Sequence, residues 1–421
     1  MDVTGDIVSE TFRQQKGDLD MPPENEYISL IGGFPGADQL NRTKEIIGCA
    51  GKALQEVATN KDGMVFLYGI KKGDLVFRTE LAEFLHEQTG IRANVENLIA
   101  TAGSSQGVHF LASFFLHSGT TVFVEDPTYF IALRMLRDDL KFNVVSVPCD
   151  SDGLIVDRLE ELIAKHVKGK PDDQMFSCML YTIPTFHNPT GRCLSPARCK
   201  QLVALARRHH MLIVADDVYV VLQTDSQQRP PPRLLTYDKQ TDSDYKGHVV
   251  SSGSFSKILA PGLRVGWIEA GDRIVQKIMN SGYLRSGGSF NQYGAALVGQ
   301  VMKLGLLVPH LEYIREQFKE RIKAVCDILE DRLPKGSKVT RPQGGYFVWV
   351  ELPTSIDTVA LKEMVTEKRR VSFLPGVSCS PGGNYRNCLR LSIGYFQKDF
   401  LVKAVNELCS GIEDYMQTSV S

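Results

Sequence analysis

The sequence predicts an α/β protein. A large domain is built on a mostly parallel sheet covered by helices, and a smaller α+β domain follows at the C-terminus. Three observations predict it. From about residue 97, short apolar runs alternate with segments of helical spacing. The runs are apolar at consecutive positions, as in strands buried on both faces. A long amphipathic stretch, residues 310–333, then leads into a second set of short strands.

Residues 1–27 are polar and carry Pro and Glu, which reads as an arm. Residues 28–36 read as a strand running into a glycine turn, and 44–57 as a helix. Leu67-Tyr68-Gly69 reads as a loop, and 74–87 as a second helix. The apolar run 97–102 meets Gly103-Ser104-Ser105-Gln106-Gly107. Val108, Leu111, Ala112, Phe115 and Leu116 then follow at helical spacing. Further strands are expected at 121–124, 143–147, 177–181, 211–215 and 248–250. Gly253 is expected to turn the chain, and 264–268 to form a strand again. In the helix 310–333 the apolar face is Leu311, Ile314, Phe318, Ile322, Val325 and Leu329. The last domain would hold 338–352, 371–373, 388–393 and a helix near 400–416. The resulting division is an N-terminal arm or lid with the start of the small domain (1–45), a large domain (46–309) and a small C-terminal domain (310–421).

Composition narrows the function. The 421 residues are 43% hydrophobic and 23% charged, the balance of a globular enzyme. A net charge of −1 gives no electrostatic reason to expect nucleic acid or an anionic membrane. Nine cysteines, an odd number without a CxxC pair, suggest reduced thiols. The acidic start lacks an apolar core, and no apolar run approaches the ~20 residues a membrane span needs. A cytoplasmic location without a membrane is therefore expected. The nine histidines do not fall at metal-ligand spacing, so no metal is expected.

The chemistry concentrates in Ser251–Trp267. Lys257 sits on a short connection between two strands, flanked by Ser254, Ser256 and Arg264. A lone lysine is usually an exposed surface residue. Here an amine that can form a Schiff base stands beside groups that can hold a phosphate. An aldehyde and a phosphate on one small molecule describe pyridoxal 5′-phosphate. That cofactor needs an acid toward its ring nitrogen. Asp216 closes an apolar strand and suits this, although an Asp-Asp pair by itself is more often a cap or turn. Tyr219, three residues on, and Asn188 in His187-Asn188-Pro189-Thr190-Gly191 suit its phenolic oxygen. Gly103, Ser104, Ser105 and Gln106, between strand and helix, suit its phosphate. Arg390 is a charge on an otherwise apolar strand. It either snorkels to the surface or turns inward to clamp a carboxylate. Tyr129 could stack on the ring or belong to the core.

In order and spacing these motifs resemble the class I/II aminotransferases, the pyridoxal phosphate enzymes of fold type I. Ser-x-Ser-Lys followed by Ala-Pro-Gly-Leu-Arg-x-Gly-Trp carries most of the likeness. Asn-Pro-Thr-Gly and Asp-x-x-Tyr precede it in the family's order. The resemblance runs from about Ile28 to the last helix and looks most like the kynurenine/2-aminoadipate branch. It implies Lys257 as the Schiff-base lysine, Asp216 as partner of the ring nitrogen, and Asn188 and Tyr219 as donors to the phenolic oxygen. Ser104, Ser105, Gln106, Ser254, Ser256 and Arg264 would hold the phosphate, and Tyr129 would stack on the ring. Arg390, with Asn188 and the Gly33 backbone, would bind the substrate carboxylate. Tyr68 would reach the neighbouring subunit's phosphate, which implies a homodimer with shared active sites. Arg13 would turn toward acidic side chains. The substrates implied are an amino acid (2-aminoadipate, kynurenine, aromatic or similar) and a 2-oxo acid.

Two departures bear on substrate. His187 stands where many relatives have Gln, and Asp38-Gln39-Leu40-Asn41 lacks the usual Phe-Pro. Two rival readings remain at this stage. One is a lyase or decarboxylase on the same fold. The other is a non-catalytic sensor, disfavoured because about 27 residues before the first strand are too few for a winged helix.

Overall fold

The computed structural model describes residues 28–170, 172–225 and 228–418. Arg13 lies outside the described residues. The large sheet has eight strands: β2 (Leu98–Thr101), β3 (Thr121–Asp126), β4 (Asn143–Asp150), β5 (Gly153–Leu154), β6 (Cys178–Thr182), β7 (Met211–Asp216), β8 (Val249–Ser254) and β9 (Gly266–Ala270). Their spatial order is β2-β9-β8-β7-β6-β3-β4-β5. The strands β4, β3, β6, β7 and β8 run parallel, whereas β9 is antiparallel to both neighbours and β5 to β4. The expectation of a mostly parallel sheet holds, with these two exceptions.

Along β7, Leu212 and Val214 pack into one apolar cluster, while Met211, Ile213 and Ala215 pack into another. Alternate side chains thus bury on opposite faces, which is why these strands read as unbroken apolar runs. Gly253 is not a turn but the fifth residue of β8. A Cβ there would lie 2.1 Å from the Trp267 ring, so the glycine makes room for the indole across the ladder.

Strand direction decides where the polar residues emerge. The carboxyl ends of the parallel strands β6, β7 and β8 share one edge. Because β9 returns antiparallel, its first residues lie beside the end of β8. The strand β2, antiparallel to β9, ends at the same edge. Residues 103–105, 182–183, 216, 254–257 and 264 therefore converge although they are far apart in sequence.

Helix Ala37–Asn60 begins seven residues before the expected start. Its polar N-terminal residues are held by tertiary contacts that spacing does not reveal. Arg321 pairs with Asp38 and donates from Nη1 to the Gly394 carbonyl at 2.9 Å, and Gln39 Nε2 donates to the same carbonyl at 3.1 Å. The second helix, Leu75–Thr89, is capped by the Asp74 carboxylate, which accepts from Phe77 N at 2.9 Å. Helix Leu307–Arg332 buries the six apolar positions named above.

Beyond it, β10 (Lys338–Thr340), β11 (Phe347–Glu351), β13 (Leu374–Pro375) and β14 (Cys388–Ser392) form an antiparallel sheet in the order β10-β11-β14-β13. The chain closes with helix Lys398–Thr418. The expected strand at 28–36 is short: β1 covers Ile28–Ser29 and pairs in parallel with β12 (Val371–Ser372). Leu30 then extends the contact, taking Ser392 N–H on its carbonyl at 2.8 Å. The first described residues thus attach to the C-terminal sheet, and the following Ile31–Phe34 are laid across the edge of the large one.

Candidate active site

Two cavities meet at that edge. One, about 180 Å³, is lined by Ser104, Ser105, Asp216, Ser254, Ser256 and Arg264 among others. The second, about 250 Å³, is walled by Ile31, Phe34, Phe130, Ile131, Phe347 and Arg390. Tyr129, Asn188, Tyr219 and Lys257 line both.

Lys257 ends a 3₁₀ turn, Phe255–Lys257, that follows β8 directly. Its Nζ donates to the Gly33 carbonyl and lies 5.6 Å from the centre of the Tyr346 ring. The Tyr346 hydroxyl donates to the Lys257 carbonyl at 3.0 Å, fixing the backbone of the turn. Burial, helped by the nearby Arg390 charge, pulls the ammonium down to about 8. An amine tuned in this way is available as a nucleophile near neutral pH.

Asp216 is the last residue of β7 and is buried. Its Oδ2 accepts from the Tyr181 hydroxyl at 2.8 Å, while Oδ1 has no partner. Burial pushes this carboxyl up to about 6, against the Tyr181 hydrogen bond. Asp217 serves a different purpose. It accepts from the Ser251 hydroxyl and faces the charge of Arg233, which is itself paired with Glu269.

Gly103 has φ +88°, a backbone conformation that strains any side chain, so glycine is favoured at this turn beside the Arg264 guanidinium. Helix Ser104–Phe115 begins immediately after and presents its first N–H groups to the cavity edge. Arg264 is itself left-handed, at φ 50°, and donates from Nη1 to the Pro261 carbonyl at 3.0 Å. Ser254 Oγ donates to Ser256 Oγ at 2.9 Å. Gln106 does not line the cavity: its Oε1 accepts from Ala102 N at 3.1 Å and closes the turn before the helix.

Arg390 is inward and 2% exposed. Nη1 donates to Asn188 Oδ1 at 2.8 Å, and Nη2 donates to the Ile31 carbonyl. Its guanidinium carbon lies 4.1 Å from the centre of the Phe347 ring. Among the described residues no carboxylate pairs with it. A buried guanidinium without an acid is costly unless an anion completes it. Because Asn188 spends its oxygen on Arg390, its amide N–H groups remain for another acceptor. Burial pushes the Tyr129 phenol up to about 12 and the Tyr219 phenol well above its ordinary value, so both stay protonated.

Tyr68 lines neither cavity. It is 72% exposed, beside exposed Phe66, Leu67 and Ile70. Sequence reasoning missed Tyr181, Tyr346, Phe130, Ile131 and Phe347. Tyr181 had a readable signal: it pairs with Val214 across parallel strands, so Asp216, two residues on, shares its face. The aromatic walls carried none, since core residues have the same composition.

A lysine held at a strand end, a buried carboxylate below it and an anion cradle to one side define the class: an enzyme built around a phosphorylated carbonyl cofactor. The chain matches the family model for aminotransferase class I and II over residues 37–402 and belongs to that family. It is 31% identical to aromatic-amino-acid aminotransferase 1 of Thermococcus litoralis, over 95% of this chain and 91% of that protein. It is 30% identical to the 2-aminoadipate transaminase of Thermus thermophilus, over 96% and 94%. Its fold matches the kynurenine aminotransferase of Pyrococcus horikoshii with a TM-score of 0.80 at 29% identity, covering 97% and 94% of the two chains. The protein is a pyridoxal phosphate-dependent aminotransferase. The residues present fit the cofactor: the unpartnered buried oxygen of Asp216 asks for a protonated donor, and the opposite end offers an arginine, two serines and a helix N-terminus.

Proposed function

We propose that the chain exchanges the amino group of an α-amino acid bearing an aromatic or other large apolar side chain, kynurenine included, with a 2-oxo acid. The observation that carries this reading is Arg390, buried without an acid at the wall of an aromatic cavity that also holds Lys257.

Pyridoxal phosphate, when bound, supplies an electrophilic carbon and a ring that accepts the electron pair released at the substrate α-carbon. Ser254, Ser256, Arg264 and the backbone N–H groups of Ser104 and Ser105 hold its phosphate. Gln106 contributes by fixing the turn. Asp216 Oδ1 would face the ring nitrogen and keep it protonated. Asn188 and Tyr219 would donate to the phenolic oxygen, and Tyr129 would pack on the ring. Lys257 Nζ would hold the cofactor's carbonyl end and serve as the base that moves the proton at the substrate α-carbon. Arg390, oriented by Asn188, clamps the α-carboxylate. That group is common to amino acid and 2-oxo acid, so one site serves both half-reactions.

The side-chain space between Phe34, Phe130, Ile131 and Phe347 favours aromatic donors. Lys257 and Arg390, the cations described there, are both engaged with the reacting end. An acidic donor such as 2-aminoadipate needs another cation, and Arg13 is our candidate. The exposed apolar side chains Met64, Phe66, Leu67, Tyr68 and Ile70, with Tyr283 and Tyr293, support a homodimer in which Tyr68 completes the neighbour's phosphate site. Among the described residues no single helix is long and apolar enough to cross a membrane, and all nine cysteines are free. We place the protein in the cytoplasm and divide it at 1–45, 46–309 and 310–421.

A panel of donors against 2-oxo acids with cofactor-loaded protein tests the reading. Phenylalanine and kynurenine should turn over only when a 2-oxo acid is present. Donor consumption without a 2-oxo acid would make it a lyase or decarboxylase instead.

A further inference from the structure

A third cavity, about 260 Å³, is as large as the substrate space and unused by the reaction above. It lies between the sheet edge, at Glu125 and His187, and the C-terminal sheet, at Trp349 and Glu351. Its charges are unevenly satisfied. Arg192 donates from Nη1 to the Asp150 carbonyl at 3.2 Å and has no carboxylate partner among the described residues. The Asp150 carboxylate is taken by Arg198 at 2.8 Å. Glu351 has Lys338 at 3.8 Å, on its solvent side. Burial pushes the thiols of Cys149 and Cys193 up, so they line the wall as uncharged, apolar groups. They are therefore poorly suited to redox chemistry, and among the described residues no group of three side chains is arranged to hold a metal.

We propose that this cavity binds a free α-amino acid with an apolar side chain. Its carboxylate pairs with Arg192 and its ammonium faces Glu351, while its side chain packs on Trp349 and the two thiols. A simple anion fits less well, because Glu125 and Glu351 leave the lining acidic even after Arg192 is counted. The walls connect this cavity to the reacting end. Ile183 lines both this cavity and the one around Asp216. The Arg192 carbonyl accepts from His187 N at 2.8 Å, and the next residue, Asn188, accepts from Arg390. His187 Nδ1 is 2.9 Å from Thr190 Oγ1, and its Nε2 lies 3.1 Å from Glu125 Oε2 without hydrogen-bond geometry. Glu125 Oε2 in turn accepts from Ile183 N at 3.0 Å. The backbone of Arg192 thus lies one residue, through His187, from the one that orients the carboxylate clamp. This gives His187 a role outside the substrate pocket.

The probe is L-α-methylleucine, which has no α-hydrogen and cannot be transaminated. Calorimetry on the cofactor-loaded protein should count two sites per chain. Arg192→Met and Cys149→Phe, which remove the anchor and fill the space, should each leave one. The change in cofactor colour on adding the probe reports the first site, and it should keep its midpoint within twofold in both variants. 4-Methyl-2-oxopentanoate, which lacks the ammonium, should bind the second site at least tenfold more weakly. One site per chain in the wild type overturns the proposal, as does a second site that survives both substitutions. Equal binding of the oxo acid overturns the assignment of the ligand class. Should Arg192→Met unfold, Cys149→Phe decides by itself.

Discussion

Replacing Asp216 by Asn should make the cofactor-free protein more stable and the loaded enzyme slower. The carboxyl is buried, one of its oxygens has no partner, and its pKa is raised from 3.8 to about 6. A displacement of that size corresponds to about 3 kcal/mol of cost to the ionised form. The folded-state value lies above the unfolded one. The stabilising contribution is therefore fully present below about pH 4 and is lost as pH rises through about 6. Asn keeps an oxygen for the Tyr181 hydroxyl and carries no charge. In urea titrations of cofactor-free protein the variant should match wild type near pH 4 and exceed it by up to ~3 kcal/mol at pH 8. Asp217 is present in both proteins and largely cancels in the difference. With cofactor bound, the neutral side chain no longer holds the ring nitrogen protonated. Loss of a charge-assisted interaction of ~1.5–3 kcal/mol should lower kcat by roughly ten- to a hundredfold. A variant less stable than wild type at pH 8, or a difference that does not change with pH, would refute the argument that burial sets this carboxyl. Unchanged kcat would mean that another residue faces the nitrogen.

Four further outcomes are expected. Cofactor uptake by the free protein, followed by absorbance, should accelerate as pH rises through about 8, where Lys257 loses its proton; a flat profile would place the amine's pKa elsewhere. Arg390→Ala should reduce kcat/KM for amino acid and 2-oxo acid alike by roughly ten- to a hundredfold, since ~1.5–3 kcal/mol of charge-assisted hydrogen bonding is lost from both; an effect on one substrate alone would point to a side-chain role. Mixed dimers of Tyr68→Phe and Lys257→Ala chains should regain activity over either parent, because one of the two shared sites is then free of both lesions; no gain would count against a tyrosine supplied in trans. Arg13→Ala should raise KM for 2-aminoadipate and spare phenylalanine, and equal effects on both donors would remove Arg13 from the pocket.

Much of this was legible in the sequence because short-range rules carry it. Strands buried on both faces announce themselves as apolar runs, and the residues that end them fall at one edge by topology. Lys257, Asp216, Ser254 and Arg264 could be named for that reason. What stayed hidden depends on contacts between distant segments. Gly253 resembles a turn until Trp267 is seen filling the space above it. Ala37–Leu40 looks too polar to begin a helix until Arg321 and Gly394 are found holding Asp38 and Gln39. Gln106 looks like a phosphate ligand by position, yet it does not line the cavity, and its Oε1 closes the turn at Ala102. Phe130 and Phe347 resemble core residues, and a pocket wall differs from a core by what is missing beside it.

The meeting of the two cavities at Tyr129, Asn188, Tyr219 and Lys257 has a consequence for how such an enzyme can diversify. The cofactor half is built from the ends of sheet strands, where a change would disturb the ladder as well as the chemistry. The donor half borrows Ile31 and Phe34 from the first described segment, Ile131 from a short helix and Phe347 from the C-terminal sheet. These are three separate stretches, each replaceable without rebuilding the sheet. Random substitutions that alter donor preference while leaving cofactor affinity intact should therefore gather in those stretches, and donor range should drift more readily than reaction type.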